Sequence, residues 1–257
     1  MEVMKKKAAR KHLNKLWKKM QQHFKAFTHT ADAEQLHQFR VQVKKIRSFL
    51  TLLETNKKNR QLLQTFKPVK KVFKSAGTIR DAFLHQQQAK KHNLHEQQFY
   101  KEQCQLQKQE TENLLSEKSR QLQEIKKVRN KLRKRLHSMK QDEIKTFFKG
   151  GIHNTEHLLS KHNFSEQLHN GRKMLKHLMY NEHVLQNGLA HELKINFKYV
   201  DELQEMLGQW HDNKLALEFF VTRNLSDNDI ASMRHKNEEL QKTINNKTEN
   251  FLQKIAD

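Results

Sequence analysis

LHQFRVQVKKIR, from Leu36 to Arg47, carries two patterns at once. At 100° per residue, Leu36, Phe39, Val43 and Ile46 fall in one arc, which Leu50 and Leu53 continue. That stripe is wide enough to bury a helix against its neighbours. His37, Arg40, Lys44 and Arg47 follow at spacings of 3, 4 and 3 and occupy a narrower arc beside it. The result is a row of cationic groups about 15 Å long, at about 1.5 Å per residue. Like charges at i,i+3 and i,i+4 repel, so such a row is unfavourable when empty.

The pattern recurs. LHNGRKMLKHLM runs from Leu168 to Met179, 132 residues on, and pairs Leu36 with Leu168, His37 with His169, Arg40 with Arg172 and Lys44 with Lys176. GTIRD at Gly77–Asp81 and GQWHD at Gly208–Asp212 follow in the same order at an offset of 131. Two matches at nearly one offset imply duplication and a pseudo-two-fold architecture. The second row is His169, Arg172, Lys176 and His183, beside Leu168, Leu175 and Leu178. Lys126, Arg129 and Arg133 form a third row beside Ile125, Val128, Leu132 and Leu136. Lys70 and Lys74 form a short fourth beside Phe66, Val69 and Phe73. Four-helix packing is expected to gather such edges around a cleft. Lys11, Lys15, Lys18 and Lys19 lie opposite Trp17, Phe24 and Phe27 and read as a solvated face.

The chain reads as all-α. Helices are expected at about 4–28, 33–54, 59–75, 80–93, 96–138, 141–149, 153–162, 165–186, 189–207, 212–223 and 227–253. Breaks are signalled by Thr28–Thr30, Asn56–Lys58, Gly77–Thr78, Gly150–Gly151, Asn187–Gly188 and Asn224–Ser226. Pro68 fits a first turn if its helix begins near Lys67 and otherwise kinks it. Gly77 and Gly208 suit a turn or a close approach. Thr78 can cap a helix, with Asp81 three residues on as the acid of a capping box. The second copy has no Ser or Thr at that position, so the alternative is that Asp81 and Asp212 orient a neighbouring cation.

Composition bounds the partner. The 257 residues hold 50 Lys and Arg against 28 Asp and Glu, for a formal net charge of +22, with 17 His. Such self-repulsion is relieved by a polyanion, whether nucleic acid, an anionic membrane surface or inorganic polyphosphate. One Cys excludes a disulfide scaffold and a Cys-based zinc or iron–sulfur site. One Pro and six Gly exclude collagen, turn-rich sandwiches and Gly-rich nucleotide folds. The hydrophobic share is 35% and the mean hydropathy −1.00, yet the apolar residues recur at helical spacing, so a fold is expected. No apolar run is long enough to span a bilayer and no secretory signal is visible, so a soluble cytoplasmic protein that inserts in no membrane is expected.

Catalytic signals are weak. His153, Glu156 and His157 spell H-x-x-E-H, a zinc-protease string that 17 His readily produce by chance. His85, His92 and His95 have helical spacing within a Gln- and Lys-rich run. Cys104 has no identifiable His partner. No Walker loop, carboxylate pair or nucleophile elbow is present. Phe and Trp fall on apolar stripes and read as core, without the interleaving with cations that base stacking uses.

Taken together, HQFRVQVKKIR, AGTIRD and LQEMLGQWHDN resemble the CHAD domain, the conserved histidine α-helical domain, over roughly residues 5–250. The resemblance implies one domain over 1–257. Its two four-helix-bundle halves, about 1–140 and 141–257, would be related by a pseudo-two-fold with a basic cleft between them. It also implies binding of inorganic polyphosphate and association with polyphosphate granules, and the chain is accordingly read as a non-enzymatic binding module that needs no cofactor. By motif match His37, Arg40, Lys44, Lys45, Arg47 and Arg80 carry over from the first half, and His169, Arg172, Lys173 and Lys176 from the second. His177 stands opposite Lys45, Met179 opposite Arg47 and His211 opposite Arg80, which implies a second half that binds more weakly or depends more on pH. The rival readings are a non-specific nucleic-acid binder and a metal-dependent phosphohydrolase.

Overall fold

Leu36, Phe39, Val43, Ile46, Leu50 and Leu53 are all buried, so the apolar arc of the first row is the face the helix presents to the core. The computed structural model describes residues 2–91, 97–160, 164–185, 189–221 and 227–256. His92, His95 and the breaks anticipated at Asn187–Gly188 and Asn224–Ser226 lie outside them. Among the described residues the chain is all-α apart from one short antiparallel pairing, β1 (Glu2–Met4) with β2 (Met139–Lys140). It divides into two compact units between Lys140 and Gln141.

The first unit holds α1 (Lys6–Thr30), α2 (Ala33–Leu53), α3 (Leu62–Lys91), α4 (Gln98–Ser116) and α5 (Lys118–Arg135). Helices α4 and α5 both pack along α3, separated by Glu117 alone, so the unit is a four-helix bundle with one interrupted rod. Round the bundle the order is α1, α2, α3, α5, with α5 closing back on α1. Trp17 of α1 meets Phe66 of α3 across the centre, ring centroids 6.0 Å apart, and Phe24 meets Phe39 at 4.9 Å. Asp32 starts α2 by accepting a hydrogen bond from the Glu34 amide at 2.9 Å, and Ala31 ends α1 in the left-handed region at φ 53°.

The second unit holds α6 (Gln141–Leu159), α7 (Glu166–Asn181), α8 (Leu189–Leu193), α9 (Phe197–Val221), α10 (Asp227–Thr248) and α11 (Phe251–Ala256). The four long helices α6, α7, α9 and α10 pack in that sequence around Leu168, Leu175, Leu203, Leu207 and Trp210. Ser165 starts α7, accepting from the Gln167 amide at 3.3 Å. No helix among the described residues is long and apolar enough to cross a membrane.

Several expected boundaries move. Gly77 and Thr78 do not break a helix: α3 runs unbroken through them for 30 residues. Thr78 therefore caps nothing, and the capping-box reading of Asp81 fails. Gly208 is likewise inside α9, and Gly150 and Gly151 inside α6. Pro68 is interior to α3 rather than in its first turn. It withholds one amide, from the Gln64 carbonyl. The single helix expected over 96–138 is cut at Glu117, where neither Gly nor Pro warned of it. His183 does not continue the α7 edge, because α7 ends at Asn181 and His183 lies in the 3₁₀ turn Glu182–Leu185.

Candidate anion-binding site

The unbroken helices explain the two glycines. Arg40 reaches from α2 to α3 and donates from Nη1 to the main-chain carbonyl of Phe73 at 2.9 Å. That carbonyl is one helical turn before Gly77 and already serves the Gly77 amide in the helix. Its second lone pair is approachable because Gly77 has no side chain: a β-carbon there would sit 2.6 Å from Arg40 Nη1. The guanidinium also lies 4.3 Å from the Phe73 ring centroid, a cation–π contact. The second unit repeats the arrangement. Arg172 of α7 donates from Nε to the Gln204 carbonyl at 3.2 Å, one turn before Gly208, and a β-carbon at Gly208 would sit 2.5 Å from Nη2 and 2.9 Å from Cζ. The duplicated H-x-x-R and G-x-x-[R/H]-D strings are thus two halves of one helix–helix joint.

Each guanidinium has five N–H donors, of which the bond to the carbonyl uses one. Burial holds Arg40 below its ordinary pKa, with Arg80 acting the same way and Asp81 opposing. Asp81 is thus an electrostatic neighbour of the row, as Asp212 is of Lys176.

Within the first unit, Lys44 and Arg47 of α2 face Lys67 and Lys70 of α3 across a groove of about 230 Å³. Val43, Leu63, Phe66 and Phe73 floor it, and none of its lining residues is acidic. His37 and Arg80 belong to the same helix pair. Burial first, then Arg80, Lys44 and Arg40, lower the His37 pKa against an opposing Glu34. Lys45 is half-buried on α2, while Lys74 is exposed on α3 and outside the groove. Lys67, which no row had singled out, takes that place.

Arg129 does not join this groove. It lines a second one, about 690 Å³, between α5 and α1, with Lys11, Lys15 and Lys18. Lys126 and Arg133 are exposed on the same helix, and Arg133 accepts at its carbonyl from Arg10 Nε at 2.9 Å. The rows of the first unit therefore form two grooves rather than one cleft. Lys11, Lys15, Lys18 and Lys19 are all exposed, as the solvated-face reading expects, and the first three also line this groove.

In the second unit the His169 ring lies on His211, centroids 3.9 Å apart and planes 30° apart. The place that Arg80 takes near His37 is here filled by an imidazole. Burial first, then His211, Lys173 and Arg172, push His169 down to about 4, with Glu166 opposing. His211 is lowered by burial, and Arg172 and Lys214 act in the same direction against Asp212 and Glu166. Lys173 donates to Glu166 at 3.3 Å and to Asn170 at 3.0 Å. Lys176 is lowered by burial and by Arg172, while Glu205, Asp212 and Asp201 pull the other way. Glu166 and Asp212 have counterparts in Glu34 and Asp81 of the first unit, but Asp201 and Glu205 stand where the first unit has Lys70 and Lys74, and these two carboxylates dilute the positive potential beside Lys176. Among the described residues no three His, Cys, Asp or Glu gather closely enough to hold a metal ion.

A family model described as the CHAD domain matches residues 11–221 of the chain. No curated protein matches it. The crystal structure of the CHAD domain from the plant Ricinus communis is similar in fold, with a TM-score of 0.62 at 15% sequence identity. The likeness covers 97% of this chain and 94% of that one.

Proposed function

The chain belongs to the CHAD-domain family, and on that premise we propose that it binds inorganic polyphosphate without turning it over. The observation that carries the reading is the α2–α3 groove, where Lys44, Arg47, Lys67 and Lys70 meet with no acidic residue in the lining. Polyphosphate offers one negative charge at each interior phosphate and only acceptors. Arg and Lys offer only donors, so the match is made by charge-assisted hydrogen bonds. The anion also removes the mutual repulsion of Lys44, Arg47, Lys67 and Lys70, so binding stabilises a surface that is strained when empty. Arg40, held by Phe73 beneath the row, fixes the angle of α2 against α3. The second unit, with His211 in the place of Arg80 and with Asp201 and Glu205 where the first unit has Lys70 and Lys74, is the weaker and more pH-dependent partner in this reading. Association with cytoplasmic polyphosphate granules is the corresponding cellular role.

A sugar-phosphate backbone would meet the same cations, so the test is competition. Long-chain polyphosphate should displace single-stranded DNA or RNA from the protein at equal phosphate concentration, and the nucleic acid should not displace polyphosphate. Release of inorganic phosphate, measured with and without added magnesium or manganese, should stay at background. Preferential retention of nucleic acid, or metal-dependent phosphate release, would overturn the proposal.

A further inference from the structure

Helix α1 contains seven Lys and one Arg across its 25 residues and not one Asp or Glu. Its hydrophobic face is spent on the core, through Leu13, Trp17, Met20, Phe24 and Phe27. Lys11, Lys15 and Lys18 stand at spacings of 4 and 3 along about 10 Å of helix, on the edge that turns toward α5. Across the groove, Arg129 is aimed by Asn14. Its Nε and Nη2 both donate to the Asn14 amide oxygen, at 3.2 and 3.0 Å. A neutral partner orients the guanidinium without cancelling its charge, and three of its five N–H donors remain. Ala8, His12 and Gln21 complete the lining, and no carboxylate takes part.

The position of this groove matters as much as its charge. The α2–α3 and α1–α5 grooves share no residue and no helix. With the helices ordered α1, α2, α3, α5 round the bundle, the two lie on opposite sides of it. A straight polyanion on one cannot touch the other.

We infer that the first unit is divalent for polyanions: the α1–α5 groove is a second polyphosphate track, and one protein molecule bridges two chains. The ligand class rests on the proposed function above, whereas the second track rests on the α1–α5 geometry. Bridging gives the protein an activity that binding alone does not, the cross-linking of polyphosphate into larger assemblies.

The test uses the full-length protein with two sets of short polyphosphate chains, end-labelled with a donor and an acceptor fluorophore and too short to reach round the bundle. Energy transfer between chains should appear on adding protein, peak where chains are in excess of neither groove, and vanish when excess chain saturates both. Lys11→Glu, Lys15→Glu and Lys18→Glu together should cut the transfer at least about fivefold while single-chain affinity at the α2–α3 groove falls less than about threefold. The matching triple Arg variant should retain the transfer, which separates loss of charge from loss of fold. Binding of chains with no transfer in the wild type, or transfer unchanged in the triple Glu variant, would overturn the second track and leave the proposed function standing. No binding of either chain set would overturn both.

Discussion

Arg40 Nη1 occupies the space that a β-carbon would fill at Gly77, 2.6 Å from its position, and Arg172 stands in the same relation to Gly208. In each unit an arginine of the basic row is bonded to the carbonyl one turn before that glycine. The row and the helix packing are thus built from the same side chain, and a change at the glycine reaches the binding surface without removing a charge.

Three glycine-to-alanine substitutions should therefore part company. Gly150 is exposed within α6 with nothing within 4 Å of an added β-carbon, so Gly150→Ala should gain about 0.5–1 kcal/mol of stability from helix propensity. Gly77→Ala gains the same propensity but pushes Arg40 off Phe73, a bond from a charged donor worth about 1.5–3 kcal/mol, so the sum should be mildly destabilising. Gly208→Ala meets the whole guanidinium of Arg172 and should lose most, about 1–3 kcal/mol. Urea unfolding of the three variants gives the order, and equal gains in all three would contradict the joint.

Acid should tighten binding. His37, His169 and His211 are all held below the ordinary histidine pKa, by burial first and then by the cations around them. In the free protein they are neutral at pH 7. A bound polyanion favours imidazolium and raises these values, so binding takes up protons and affinity should climb from pH 8 to pH 6. Because burial and the neighbouring cations push free His169 down to about 4, its share of the proton uptake continues below pH 6. The same depression means that the unfolded chain binds more protons than the folded one between about pH 4 and 6.5, so the free protein should lose stability as pH falls through that range. Affinity at fixed ionic strength for the wild type and for His37→Gln with His169→Gln checks the first point. A double variant that keeps the whole gain would contradict it.

Salt should weaken binding steeply. If the four cations of the α2–α3 groove each neutralise one phosphate, a fourfold rise in salt costs roughly 50-fold in affinity, using the single-strand coefficient of about 0.7 per contact. Arg47→Glu should flatten the log–log slope, and a slope near zero in the wild type would contradict an electrostatic site.

What could be read from residues alone divides along a physical line. The stripe from Leu36 to Leu53 and the row from His37 to Arg47 were legible because helical period is local, and all six apolar members are buried. Of the two readings of Gly77, the break fails and the close approach holds, but the group that approaches, Arg40, was not legible because it is 37 residues away and on another helix. The companion of Arg129 was equally invisible: which face of α1 meets α5 is decided by packing, so the lysines of α1 looked like ordinary solvated charge. The interruption at Glu117 has no Gly or Pro to announce it, and His183 was carried two residues past the real end of α7.

Charge placement is the most direct test of a polyphosphate site as opposed to mere basicity. Labelled long-chain polyphosphate is titrated into the wild type, into Arg47→Glu with Lys70→Glu, and into Lys101→Glu with Lys108→Glu, which are exposed on α4 and line neither groove. Both double variants remove the same formal charge from a net +22. The groove variant should lose more than about tenfold in affinity with its helicity intact, and the α4 variant less than about threefold. Equal losses in the two would contradict the account.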